Sequence, residues 1–146
     1  MDYLNLVSDF KGSTIRLPIV VTPAGVQVDT PRGHQLIPDT GADTTALTEE
    51  FLMQNGYSNF QNSGAKKRTA TGEVELRTCQ IDVMTIAKQF KVSNLKVDVL
   101  SGWEEHAVVG LIGMDILSRL TFILSHKHKK FMLSSQAIPE LTKLFA

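Results

Sequence analysis

Several features that assign a protein to a specialised class are scarce in this sequence of 146 residues. There is one cysteine, Cys79, so no disulfide can form within the chain, and a reducing compartment is the expected environment. No apolar run approaches the roughly 20 residues that a membrane-spanning helix requires. Residues 1–5 show neither the basic start nor the apolar stretch of a signal peptide. We therefore expect a cytoplasmic protein that does not associate with membranes.

An excess of positive or negative charge is also lacking. The chain has 15 lysines and arginines against 15 aspartates and glutamates, so its formal net charge is zero. This balance argues against a surface built to hold a phosphate backbone, and we expect no nucleic-acid partner. The basic run 66–68 is short and is interpreted as a solvated edge. Hydrophobic residues make up 42% and charged residues 21%, a globular mix that excludes disorder and fits one domain.

The hydrophobic pattern predicts many short strands and few helices. Thr48 can cap a helix that carries Glu49 and Glu50 in its first turn and ends at Gly56. A second short helix is predicted over 114–120, and a third is possible over 139–146. Together these elements favour a mostly-β, barrel-like domain. The predicted strands are 14–21, 26–29, 34–37, 81–83, 95–99, 107–112 and the hairpin 122–124/131–133, with a loop at 61–64 and a polar hairpin over 65–78 that turns near 69–72.

The segment with the clearest chemistry is Leu36-Ile37-Pro38-Asp39-Thr40-Gly41-Ala42-Asp43. An apolar strand delivers the Asp39 carboxylate to a turn whose Gly41 lets other backbone approach closely. The Thr40 hydroxyl can lock the same turn. Taken alone, the motif is as consistent with an ordinary turn as with a catalytic site, so its context decides.

In that context, the sequence resembles the retroviral-type aspartic proteases, the single-domain retropepsin-like family. The catalytic signature of that family matches 39–42, and Asp43 follows it. The hairpin that turns at 69–72 lies where the family has its flap. The second signature matches 111–117, Leu-Ile-Gly-Met-Asp-Ile-Leu, and a final strand pair closes the domain. The overall layout is most similar to the bacterial members.

The resemblance implies a domain plan and a set of site residues. It implies a lead-in at 1–12, a retropepsin-like acid-protease barrel at 13–134 with one or two short helices, and a C-terminal tail at 135–146. No metal and no organic cofactor are implied. The implied catalytic residues are Asp39, Thr40 and Gly41, and the implied substrate-binding residues are Ala42, Asp43, Thr69, Ala70, Thr71 and Gly72.

The chemistry of this class requires two carboxylates that face one water, one ionised as the base and the other protonated as the acid. Like charges about 3 Å apart hold one proton between them and titrate as a pair. The chain contains a single Asp-Thr-Gly, whereas a pepsin-like protease carries two in a chain of about double the length. We therefore expect a two-fold homodimer in which each copy supplies Asp39 and a peptide binds between them.

Alternatives remain open at this stage. A dyad of Asp39 with Asp115 inside one chain is disfavoured, because an acid at a helix start commonly caps or forms an ion pair. Pro38 removes a backbone donor from the strand before Asp39, which favours a non-catalytic dimerisation or peptide-binding module. A latent protease that needs a partner, or trimming of 1–12 or 136–146, is a further possibility.

Two other kinds of side chain receive structural interpretations. Cys79 lies in a strand pattern with no base nearby in the sequence, so we interpret it as a buried core residue. His126 and His128 lie among lysines, which favours a solvated turn over a metal site.

Overall fold

The structure is a computed structural model that describes residues 16–22, 34–69, 72–87, 90–102, 107–128, 130–135 and 139–145. Within these residues it contains short helices and a larger share of strands. None of the helices in the described ranges is long and apolar enough to cross a membrane. The strands are β1 (Leu17–Thr22), β2 (Gln35–Pro38), β3 (Ala46–Thr48), β4 (Gln61–Thr69), β5 (Gly72–Ile86), β6 (Phe90–Leu100), β7 (Val108–Ile112), β8 (Thr121–Ser125) and β9 (Lys130–Ser134), and the helices are α1 (Glu49–Gln54), α2 (Met114–Leu117) and α3 (Pro139–Phe145).

Most strands belong to one sheet with the order β1-β2-β7-β3-β6-β5-β4. Strand β1 pairs with β2 through Leu17 and Pro18, and with β5 through 19–22. Strands β8 and β9 form a separate hairpin in which Phe122 faces Leu133. The fold is therefore mostly β, as the sequence predicts.

The centre of the sheet brings the two sequence signatures together. Strand β7 runs parallel to β2 on one side, with Pro38 opposite Ile112. On its other side β7 runs antiparallel to β3, with Ala46 opposite Leu111. Residues 39–45, called here the Asp39 loop, leave β2 and enter β3, so they must cross the end of β7, where α2 begins.

Burial of apolar side chains and a helix cap account for the formation of β7 and α1. Strand β7 is a nearly continuous apolar run that is buried along most of its length, as expected for a central strand. Helix α1 is capped by the Thr48 hydroxyl, which accepts a hydrogen bond from the Phe51 amide at 3.3 Å. The largest fully buried side chains come from the main sheet, from β9 and from helices α1 and α2: Ile19, Leu36, Leu47, Leu52, Ile81, Met84, Ile86, Ile112, Ile116, Leu117 and Leu133.

Some sequence predictions need correction. The segment 61–64 is the beginning of β4 rather than a loop. Helix α2 ends at Leu117, so it is shorter than the predicted 114–120. The predicted strand 26–29 and the lead-in 1–12 lie outside the described residues.

Candidate active site

The Asp39 loop is a tight turn built around its first carboxylate. The Asp39 amide donates to the Ile112 carbonyl at 2.9 Å, which continues the β2–β7 pairing by one residue. The Gly41 amide donates to Asp39 Oδ1 at 2.9 Å, and the Ala42 amide donates to the Asp39 carbonyl at 3.2 Å. The turn thus fixes both the backbone and the carboxylate of Asp39.

The exposed side of this turn carries the other residues of the first signature. Asp39 is half-buried at the end of β2, whereas Thr40, Gly41 and Asp43 are exposed and Ala42 is half-buried. A Cβ added to Gly41 would lie 3.2 Å from Asp39 Oδ1, tighter than an ordinary contact. Glycine at this position therefore leaves the carboxylate room that a larger residue would restrict.

Pro38 does not disrupt the strand that it ends. The amides of Gln35 and Asp39 both donate to the β7 side, to the carbonyls of Ala107 and Ile112. Because successive amides of a strand point to opposite sides, the position of Pro38 points away from β7. The proline therefore removes no hydrogen bond between β2 and β7.

Asp115 has a role separate from that of Asp39. Its Oδ1 accepts from the Thr45 hydroxyl at 2.7 Å and from the Ile116 amide at 2.9 Å. Its Oδ2 accepts from the Thr45 amide at 3.0 Å. Asp115 thus ties the Asp39 loop to the first turn of α2. The sequence favours a structural role for this acid as a cap or an ion-pair partner, and the structure shows hydrogen bonds to Thr45 instead.

The predicted flap is a long antiparallel hairpin of β4 and β5. Thr69 lies opposite Gly72, so the turn falls where the sequence predicts it, and the predicted residues Ala70 and Thr71 lie outside the described residues. The described side chains of its outer half are exposed. The flap role of Thr69, Ala70, Thr71 and Gly72 therefore stays a prediction.

A bulge in β4 separates the outer half of the hairpin from its base. Three residues of β4, 63–65, oppose Leu76 alone, because the register shifts between Asn62 and Lys66. Gly64 has a φ of 76°, a left-handed conformation that suits glycine. The Ser63 hydroxyl donates to the Leu76 carbonyl at 2.9 Å and accepts from the Ala65 amide at 3.2 Å.

An ion pair between Arg77 and Glu49, which the sequence did not predict, joins the base of the hairpin to α1. Arg77 Nη1 and Nη2 donate to the two carboxylate oxygens of Glu49 at 3.1 and 2.8 Å, and Nη2 also donates to Ser101 at 2.9 Å. The Arg77 guanidinium lies 5.5 Å from the ring centroid of Phe60. The hydrogen bond from Arg77 lowers the pKa of the Glu49 carboxyl. Both partners are about one-third exposed, so solvent screening keeps the contribution of the pair below about 1 kcal/mol.

Two further observations bear on alternative chemistry. Cys79 is 3% exposed, and burial raises the pKa of its thiol, which makes it a core residue rather than a reactive one. Within the described ranges, no three histidine, cysteine, aspartate or glutamate side chains are grouped so as to hold a metal ion.

The fold and this loop together define a class of protein. Two solved structures share the fold: a retropepsin-like aspartic protease from Rickettsia conorii and EIAV protease complexed with the inhibitor HBY-793. The first is 21% identical, with a TM-score of 0.57, and the match covers 86% of this chain and 85% of that chain. The second is 20% identical, with a TM-score of 0.52, and the match covers 75% of this chain and 89% of that chain. The architecture is thus that of the retropepsin-like aspartic proteases.

Sequence comparison supplies the family. A family model described as "gag-polyprotein putative aspartyl protease" matches residues 24–119, which include both signatures. The chain belongs to this family of retropepsin-like aspartic proteases. The search of curated proteins gives no match.

Proposed function

We propose that the chain is an aspartic endopeptidase whose active site forms between two copies, each of which supplies Asp39. The observation that carries this proposal is the Asp39 turn at the end of a central strand, with the carboxylate held at an exposed edge. One chain has one such turn, and the acid of the second signature is occupied by Thr45 and Ile116. A second copy related by a two-fold axis supplies the missing partner.

In the assembled site, the two Asp39 carboxylates share one proton and hold the attacking water between them. The ionised carboxylate takes a proton from the water as the water attacks the scissile carbonyl carbon. The protonated carboxylate gives its proton to the carbonyl oxygen, and a tetrahedral intermediate results. Thr40 of each copy locks the paired turns together, and Gly41 binds the peptide through its backbone.

Residues around the dyad bind the rest of the peptide. Ala42 and Asp43 line the adjoining subsite, since they follow the turn directly. The β4–β5 hairpin acts as the flap: its turn at 69–72 folds over an extended peptide, donates backbone hydrogen bonds and excludes water. The pairing of β1 with both β2 and β5 supports a closed barrel as the frame for this arrangement.

A non-catalytic peptide-binding module is the second candidate. Pro38 is the feature that favours this module. It is a weaker argument than the sequence suggests, because the proline removes no hydrogen bond between β2 and β7. This candidate predicts binding of an extended peptide without cleavage between mildly acidic and neutral pH. The latent-protease alternative predicts that cleavage appears only after removal of 1–12 or 136–146.

A dilution series tests the shared site. We expect the wild-type chain to sediment as a dimer at high concentration and to cleave unstructured peptides. Below the dimer dissociation constant, activity per chain falls about tenfold for each tenfold dilution, because the fraction of assembled sites falls in the same proportion. A monomer that keeps full activity per chain would contradict the shared site, and a dimer that binds but never cleaves would favour the peptide-binding module.

A further inference from the structure

Thr45 lies at the end of the Asp39 loop and is fully buried. Its hydroxyl donates to Asp115 Oδ1 at 2.7 Å and accepts from the Gly113 amide at 3.1 Å. Its own amide donates to Asp115 Oδ2 at 3.0 Å. The hydroxyl and the amide of Thr45 thus both bond to the segment 112–115, called here the β7–α2 junction, while its carbonyl accepts from the Asp98 amide at 2.9 Å.

The backbone of the junction holds the same loop from the other direction. The amides of Met114 and Asp115 are in the first turn of α2, where a helix offers no internal acceptor. They donate instead to loop carbonyls, Met114 to Ala42 at 2.7 Å and Asp115 to Asp43 at 3.1 Å. Since the Asp39 amide already donates to the Ile112 carbonyl, the junction holds the loop at its first residue and again at 42–45.

The approach between loop and junction is close enough to require glycine. A Cβ added to Gly113 would lie 2.5 Å from the Thr44 carbonyl carbon and 2.8 Å from the Thr45 nitrogen. Such distances are not tolerated between a Cβ and backbone atoms. A side chain at this position would therefore push the loop away from the junction.

We propose that Thr45 and Asp115 are positioning residues that set the place of Asp39 through the β7–α2 junction. The expected effect on kcat rests on the proposed function. The expected effect on how firmly the junction holds the loop does not. A dyad works only when both carboxylates reach the same water, and a misplacement of about 1 Å costs on the order of a hundredfold in rate. Thr45 acts on this geometry without touching the substrate.

The test compares Thr45→Val with Thr45→Ser. Valine keeps the shape of threonine but has no hydroxyl, so Asp115 Oδ1 loses a donor and the Gly113 amide loses its acceptor. Serine keeps the hydroxyl and serves as the matched control. We expect kcat to fall about ten- to a hundredfold in Thr45→Val, with KM within about twofold, and to stay near the wild-type value in Thr45→Ser. Equal kcat values in the two variants would overturn the inference while leaving the proposed function intact.

Amide hydrogen exchange gives a readout that does not depend on activity. In Thr45→Val the amides of Met114 and Asp115, which hold the loop carbonyls, should exchange at least about tenfold faster than in Thr45→Ser. The amides of Ile81 and Leu95, in the distant β5–β6 pairing, serve as internal controls and should not change. Uniform acceleration at all four amides would indicate a general loss of stability and contradict a positioning role.

Asp115→Asn repeats the test from the other partner, which matters if valine prevents folding. Asparagine keeps the size of the side chain and one oxygen acceptor. Its NH2 group can only donate, so it faces an amide donor of Thr45 or Ile116 with which it cannot form a hydrogen bond. We expect faster exchange at Met114 and a lower kcat with little change in KM. An Asp115→Asn variant with the exchange pattern and kcat of the wild type would overturn the inference. If the wild-type chain proves not to cleave peptides, the proposed function fails, and the exchange results alone decide the positioning role.

Discussion

We expect the replacement of Asp39 with asparagine to lower kcat/KM for peptide cleavage by about a thousandfold or more. In a dimer this single change removes both the base and the acid of the proposed dyad, because each copy carries the substitution. The amide side chain is close to the carboxylate in size and keeps an oxygen that can accept from the Gly41 amide. The fold, the dimer mass and the binding of an extended peptide should therefore stay unchanged.

The matched control for Asp39→Asn is Glu50→Gln. Glu50 is an exposed carboxylate of α1 that accepts a weak hydrogen bond from Gln54 at 3.4 Å. It undergoes the same chemical change outside the proposed site, so its activity should match that of the wild type. Steady-state cleavage of one peptide by both purified variants is the measurement. An Asp39→Asn variant that retains most of the wild-type rate would show that Asp39 is not the catalytic acid.

A second large effect concerns stability and falls on Gly110, in the middle of β7. Its φ of 152° is a conformation that L side chains rarely adopt. A Cβ built there would lie 1.9 Å from the Ala46 carbonyl oxygen and 3.0 Å from the Leu47 Cα. Gly110→Ala therefore separates β7 from β3, and we expect a loss of about 4 kcal/mol or more in the free energy of unfolding.

Gly56→Ala is the control for this prediction, because it separates backbone strain from steric conflict. Gly56 follows α1 with a φ of 87°, but nothing lies within 4 Å of the position of an added Cβ. Only the strain of a left-handed alanine applies, which costs about 1 kcal/mol. Urea unfolding of both variants measures the difference. Equal losses at the two positions would contradict the close approach of β3 to Gly110.

The sequence predicts those parts of the molecule that are set by local chemistry. Thr48 caps α1 as predicted, since a hydroxyl followed by Glu49 and Glu50 is a local signal. The sequence likewise predicts the buried strand β7 and the hairpin in which Thr69 pairs with Gly72. In each case the signal lies within a few consecutive residues.

The parts that escaped prediction depend on contacts between distant segments or on irregular backbone. Residues 61–64 contain Ser63 and Gly64, which are typical of loops, yet here they build a bulge inside β4. The bond between Thr45 and Asp115 joins residues 70 positions apart. Neither this contact nor the ion pair of Arg77 with Glu49 has a periodic signal, so only the folded chain reveals them. The resemblance to a known family located Asp39 and the second signature at 111–117, but not the hydrogen bonds through which that signature holds the Asp39 loop.

The most direct test of the central claim, a dyad formed by two copies of Asp39, is to mix wild-type chains with Asp39→Asn chains. The two are combined in equal amounts, allowed to exchange subunits, and assayed at a fixed total concentration at which all chains are dimeric. If every active site needs Asp39 from both copies, only wild-type homodimers cleave, and the activity is about one quarter of that of the pure wild type at the same total concentration. Activity of about one half would mean that each wild-type chain works independently of its partner, which would contradict the shared dyad.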